Sequence, residues 1–215
     1  MLGKAHIAIG ASLGAIAAHT LVGGELATYW LVAATPVIAG VAAGLPDVLD
    51  SENAAGRAPL GISWDGIKRT AQRREKSLVE MALLIPRVIL ALIVDVIAAL
   101  LPHRGLTHWL MTTFLLSLLL ALVALWANWP LMIPLAFGLG YLSHLLADGM
   151  TVSGVPYLGP LFNEPMHLLP KPLRFRYDHP AQWLVVLALF CVTAIVWQGE
   201  INQAVHGKFI LSNLF

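Results

Sequence analysis

The sequence predicts an all-α membrane protein of about five transmembrane helices, with a further interfacial or re-entrant helical segment at 78–102. Of the 215 residues, 58% are hydrophobic and 12% are charged, about half the charged share of an ordinary soluble domain. The mean hydropathy is strongly positive. Two polar interruptions, at 47–77 and 151–180, separate the apolar segments. We therefore expect one integral membrane domain over 1–215, with a basic cytoplasmic insert at about 51–77.

Five apolar segments approach the ~20 residues that a helix needs to cross a bilayer core. They are 5–22, 27–46, 109–128, 131–150 and 181–198. The first of them is alternatively a cleaved signal sequence, because Lys4 precedes a run of small apolar residues. A single positive charge and an apolar region interrupted by glycine and histidine favour a retained helix instead.

The segment 78–102 is apolar enough for a sixth span, but its charged residues argue against one. Glu80, Arg87 and Asp95 interrupt it, and Pro86 removes a backbone donor. If this segment crossed the bilayer, the end of the second span and the start of the third would lie on opposite faces. If it does not cross, both ends lie on one face.

The distribution of basic residues favours a segment that does not cross. Twelve of the thirteen Lys and Arg residues then lie on one side, and Lys208 lies opposite. A sixth span would remove this asymmetry. Positive-inside statistics assign the basic side to the cytoplasm, so we expect a protein of the inner, cytoplasmic membrane. The twelve are Lys4, Arg57, Lys68, Arg69, Arg73, Arg74, Lys76, Arg87, Arg104, Lys171, Arg174 and Arg176.

Ionisable residues occur at the cytoplasmic ends of four predicted spans. On a helix, His144 and Asp148 lie about 40° apart on one face. Imidazole and carboxylate together suit zinc, manganese or iron, and we expect one or two divalent ions, with zinc or manganese favoured. The single Cys191 excludes an internal disulfide and a thiolate cluster. The residues at these ends are His6, Asp47, Asp50, His103, His108, His144 and Asp148.

Each of these residues also has a simpler interpretation. A histidine at a helix end is more often an interfacial, hydrogen-bonded group, and we assign that role to His19, His179 and His206. Asp50 is alternatively a helix cap, and the stretch from His103 to His108 alternatively hydrates a helix start. Ionisable groups at four segment ends on one face are costly unless they are paired or metal-bound, which favours a shared site.

Four motifs resemble, in order and spacing, the YdjM-like inner-membrane proteins described as metal-dependent hydrolases. They are "KAHIAIGASLG", "GLPDVLDS", "HRGLTH" and "GYLSHLLADGMTVSGVPYLGPL", and the resemblance covers residues 1–165. It implies membrane embedding and metal-dependent hydrolysis. Two features depart from the family pattern, an alanine before His6 in place of the usual threonine and a longer insert at 51–100. The motif residues implied by the resemblance are His6, Asp47, His103, His108, His144 and Asp148.

A two-metal site with His and Asp ligands typically stabilises the attacking and leaving oxygens of a phosphoester. The ligand set is also similar to that of zinc-dependent phospholipase C and related nucleases, by analogy only. We therefore expect hydrolysis of phosphoester bonds in lipids or lipid-linked substrates. Arg104 is a candidate to receive a phosphate oxygen, or else a membrane-surface charge, and Asp50 is the second catalytic candidate.

The expected partners are membrane lipids. The stretch "KRTAQRREK" has five basic residues in nine, which favours a membrane-surface helix near anionic head groups over a nucleic-acid patch. A net charge of +1 gives no general attraction to nucleic acid.

In the loop at 151–180, Glu164 and His167 either contribute to the site, close over it, or belong to a simple connector. The sequence does not indicate an oligomeric state.

A small ion- or proton-coupled transporter, or a channel subunit, is the alternative function. Its polar residues would need to continue through the middle of the membrane. None of the five predicted spans has a charge near its centre, and the ionisable residues group on one face. A scaffold without chemistry would not explain spacing typical of metal ligands. The sequence therefore favours the hydrolase.

Overall fold

The described part of the chain contains seven α-helices, and the all-α prediction is confirmed. The computed structural model describes residues 3–22, 29–49, 62–73, 77–100, 105–176 and 179–199. Among these residues there is no strand, only two isolated bridges, which join Thr151 to Phe175 and Val155 to Met166. The helices are α1 Gly3–Val22, α2 Tyr29–Leu49, α3 Trp64–Gln72, α4 Leu78–Leu100, α5 Leu110–Trp126, α6 Met132–Gly149 and α7 Ala181–Val196.

Each of the five predicted spans overlaps one of these helices, but the count of five spans is not confirmed. By length and composition, one described helix is long and apolar enough to cross a membrane, over Trp30–Leu49 of α2. Helices α5 and α7 are apolar, with 17 and 16 residues. The segment predicted to be interfacial or re-entrant forms α4, in which Glu80, Arg87 and Asp95 interrupt the apolar sequence.

Small residues bring α1, α2 and α6 into close contact. A Cβ atom at Gly10 of α1 would lie 2.5 Å from the Ala43 Cβ of α2. A Cβ atom at Gly140 of α6 would overlap the backbone carbonyl of Ala39, also in α2. Small residues allow helix backbones to approach closely, as is typical of helix pairs in membranes. This contact brings the polar ends of the three helices together, while α5 packs on α6 and α7 packs on α1.

Helices α3 and α4 form a smaller unit beside the end of α2. The Ser63 hydroxyl accepts from the Gly66 backbone N–H and caps α3. The Trp64 indole N–H donates to the Asp95 carboxylate at 2.6 Å, so this acidic residue of α4 has a partner within the protein. Apolar residues of the three helices, together with Ile62 just before α3, form the core of this unit. They are Val48, Ile62, Ile67, Ala91 and Val94.

The contact between α6 and α2 predicts that Gly140→Ala destabilises the protein by about 1–3 kcal/mol, because the added methyl group has no space. Thermal unfolding in detergent should show a lower Tm. Gly44→Ala is the matched control, since its Cβ would meet only the flexible Ile7 side chain, at 3.3 Å. Equal melting temperatures for the two variants would contradict the proposed close contact.

Candidate metal centre

Four helix ends meet in one buried cluster of ionisable side chains. His6 lies in the first turn of α1 and Asp47 in the last turn of α2. His144 and Asp148 lie in the last turns of α6, and His108 closes the short 3-10 helix Leu106–His108 before α5. None of the five residues is more than 4% exposed. We refer to these five residues as the His/Asp cluster.

Four members of the cluster are mutually close enough to hold one metal ion. One ligand atom from each of Asp47, His108, His144 and Asp148 lies within 4.8 Å of the others. The His144 Nε2 atom is 3.3 Å from His108 Nε2, 3.9 Å from Asp47 Oδ1 and 3.8 Å from Asp148 Oδ2. Two imidazoles and two carboxylates are a donor set that fits a divalent transition metal.

His6 lies beside this group of four and contacts the same two carboxylates. Its Nε2 atom is 3.1 Å from Asp148 Oδ1 and 4.0 Å from Asp47 Oδ2. Its ring stacks on the ring of His144, with centroids 3.9 Å apart. Asp47 and Asp148 therefore each direct one oxygen towards His6 and the other towards His144.

The orientation of the His144 ring is set by the backbone of α2. His144 Nδ1 lies 2.8 Å from the Ala43 carbonyl oxygen. Because a carbonyl oxygen can only accept, Nδ1 carries the proton and Nε2 directs a lone pair into the cluster. This hydrogen bond is typical of histidines that bind metals.

A hydrogen-bonded connection also positions His108. Its Nδ1 atom lies 2.9 Å from the Thr107 hydroxyl oxygen. The backbone carbonyl of Thr107 accepts from the Tyr141 hydroxyl at 2.7 Å, and this bond joins the 3-10 helix to α6. The position of His108 relative to His144 is therefore fixed by side chains of two elements.

The loop after α6 stabilises the end of that helix. The Thr151 hydroxyl donates to the Asp148 carbonyl at 2.7 Å, and the Tyr157 hydroxyl donates to the Leu145 carbonyl at 2.9 Å. Burial, and then the nearby Asp148 carboxylate, raise the pKa of Tyr157 to about 12. Tyr157 is therefore protonated near neutral pH and remains a donor. The backbone carbonyl of Tyr157 accepts from the Leu110 N–H, which connects this loop to α5.

The sequence-predicted site residues differ in where the structure places them. It brings His6, Asp47, His108, His144 and Asp148 together, whereas Asp50, His103 and Arg104 lie outside the described residues. Glu164 is exposed and is not a member of the cluster. The His167 Nε2 atom donates to the Val152 carbonyl, also away from the cluster.

The other histidines have local partners or lie outside the description. His19, near the far end of α1, packs edge-to-face against Trp197. His179 accepts from the Ala181 backbone N–H, in agreement with an ordinary helix-start role. His206 lies outside the described residues.

Sequence reasoning missed three residues that position the cluster. They are Thr107, Tyr141 and Tyr157. Thr107 directly precedes His108, and Tyr141 is three positions before His144 on the same helix face, so their spacing was an available signal. The contact of Tyr157 with Leu145 depends on a turn of the chain that no periodicity indicates.

One comparison with known proteins identifies a family. A family model described as YdjM inner membrane protein matches residues 1–211. The match includes all seven helices and the whole His/Asp cluster. The chain matches no curated protein and no solved structure.

Proposed function

Because this chain belongs to the YdjM inner membrane protein family, we propose that it is a membrane-embedded, metal-dependent hydrolase of phosphoester bonds in lipids or lipid-linked substrates. The main supporting observation is the arrangement of Asp47 and Asp148, each with one oxygen near His6 and the other near His144. Two buried carboxylates so close together are costly unless positive charge compensates them. Divalent cations would supply that charge.

The cluster offers ligands for one or two divalent ions, with zinc or manganese the best fit. His108 and His144, with Asp47 Oδ1 and Asp148 Oδ2, would hold the first ion. The His6 ring and the remaining oxygens of the two carboxylates would hold a second. The His6 Nε2 atom faces both carboxylates, and His6 Nδ1 has no hydrogen-bond partner among the residues that the structure describes. We propose His103 as a further ligand on the basis of its motif.

Such ions, when bound, lower the pKa of water and neutralise charge that develops on a phosphate. The protein itself would bind, orient and exclude water. The Ala43 carbonyl holds the His144 ring, Thr107 and Tyr141 position His108, and burial keeps bulk water from the cluster. We propose that Arg104 binds a phosphate oxygen and that Asp50 accepts a proton from the attacking water.

We propose that the cluster faces the cytoplasm. Asp47 lies in the last turn of α2 and His108 precedes α5. Both belong to one cluster, so the chain between them begins and ends on one side of the bundle. This placement supports an α4 that does not cross the membrane. Twelve of thirteen basic residues then lie on the same side as the cluster, which supports a cytoplasmic assignment.

Labelling of single cysteines tests this orientation. In a Cys191→Ser background, Lys68→Cys in α3 should react with an impermeant maleimide from the cytoplasmic side. Trp129→Cys, between α5 and α6, should react from the opposite side, since one helix separates it from the cluster. Sealed vesicles of both orientations provide the measurement, and labelling of both cysteines from one side would contradict the topology.

Metal analysis together with an assay of lipid phosphoester hydrolysis tests the function. Purified full-length protein should contain one to two equivalents of a transition metal, and should release phosphate or headgroup from phosphatidic acid or phosphatidylglycerol. A chelator should abolish turnover and re-addition of the metal should restore it. His167→Ala, a variant away from the cluster, should behave as the wild type. Absence of metal, or turnover that a chelator does not affect, would overturn the proposal.

A further inference from the structure

An apolar cavity of about 500 Å³ lies between α1, α6 and α7. Its size is within the range of about 300–1,000 Å³ typical of sites for small ligands. Its walls include Ile9 and Leu13 of α1, Ala147 of α6 and Met150 just after that helix, and Val185 and Leu189 of α7. We refer to it as the α1–α6–α7 groove.

The groove runs alongside the His/Asp cluster. Ile9 lies one helical turn after His6 on α1, and Ala147 directly precedes Asp148 on α6. Ala5, Ile9 and Ala147 pack together, so the walls of the groove are also the supports of the cluster. A molecule in the groove would therefore have one end close to the cluster.

The groove is continuous with the outer apolar surface of α7. Leu184 lines it and is 67% exposed, and Ala188 lines it and is exposed as well. In an inner membrane protein, such a surface faces the hydrocarbon chains of lipids. An acyl chain that entered from this surface would fill the groove and add packing contacts to its walls.

Two basic residues flank, in the sequence, a residue that packs beside the groove at the end nearest the cluster. Phe175 packs against Ala5, Ile9 and Ala147, and its backbone carbonyl accepts from the Val152 N–H at 3.0 Å. Arg174 and Arg176 flank Phe175 in the sequence, and the Arg174 Nε–H donates to the Leu169 carbonyl at 2.8 Å. A ligand with an apolar body and an anionic end complements this distribution of surface.

We propose that the α1–α6–α7 groove binds an acyl chain of an anionic glycerophospholipid and so directs the phosphate headgroup to the His/Asp cluster. The inference rests on the proposed function for the role of this lipid as substrate. It adds the class of substrate and the place where the apolar part binds. Lipid binding is measurable separately from metal binding and from hydrolysis.

A substitution that fills the groove tests the inference. Ala188→Phe places an aromatic ring in it, and Ala194→Phe, on an exposed position of the same helix that does not line it, is the matched control. Full-length protein is delipidated, incubated with dioleoylphosphatidylglycerol or dioleoylphosphatidylcholine, and analysed by native mass spectrometry. The wild type and Ala194→Phe should retain the anionic lipid at least several-fold better than the zwitterionic one. Ala188→Phe should lose most of that retention.

Metal content and hydrolysis of a soluble phosphoester, p-nitrophenyl phosphate, provide the second readout. Ala188→Phe should leave both unchanged, because the substituted residue is not a member of the cluster. Equal lipid retention by Ala188→Phe and Ala194→Phe would overturn the groove inference even if the protein binds metal. Equal retention of the two lipids by the wild type would overturn the preference for an anionic headgroup. Loss of metal from all the proteins would instead refute the proposed function.

Discussion

Simultaneous replacement of His144 and Asp148 by alanine is expected to remove most of the bound metal and to reduce hydrolysis to the level seen with a chelator. Both residues belong to the four-residue group, and His144 Nε2 is within 4 Å of ligand atoms on three other side chains. Mutation of residues that only orient the metal ligands usually lowers metal affinity by about 10–100-fold. Loss of two ligands should therefore exceed that range.

Elemental analysis of the purified variant is the measurement. Loss of two buried side chains also creates cavities, so the near-isosteric pair His144→Gln and Asp148→Asn separates metal loss from unfolding. His19→Ala is the matched control, because this histidine lies on α1 but packs against Trp197, away from the cluster. Stoichiometric metal in a folded double variant would exclude the cluster as the binding site.

Single substitutions at His108 and Arg104 are expected to have different effects on metal content and on activity. His108 belongs to the buried group of four, so His108→Ala should lose metal and activity together. Arg104→Ala should retain metal and lose about 10²–10³-fold in kcat, the usual effect of removing one group that stabilises charge in a transition state. Arg104→Lys should recover part of the activity, since lysine keeps the charge but not the bidentate geometry.

Hydrolysis of phosphomonoester and phosphodiester lipid analogues, assayed beside metal content, distinguishes these roles. Thr107→Val is a useful comparison, because it removes the hydroxyl group near His108 Nδ1 and retains the shape of the side chain. It should weaken metal binding without abolishing it. Small and equal effects at His108 and Arg104 would favour the simpler interpretation, in which this stretch only hydrates a helix start.

The sequence alone determined the helices and the side of the bundle on which the polar residues lie. Apolar runs of about 16 to 23 residues are local features, and all five predicted spans correspond to helices. The spacing of His144 and Asp148 also predicted their common face, because a helix has a fixed period. A segment 78–102 that does not cross the bilayer places Asp47 and His108 on one side, and the structure brings both residues into one cluster.

Only the tertiary structure decided how these side chains face each other. Asp47 and Asp148 each contact both His6 and His144. These contacts depend on the close approach of α1 and α6 to α2, where Gly10 and Gly140 meet the backbone of Ala39. Likewise, the Ala43 carbonyl selects the tautomer of His144, and a backbone atom gives no signal in a sequence pattern. Hydrophobic periodicity specifies which face of a helix is buried, whereas the distances between ligand atoms arise from packing between segments far apart in the chain.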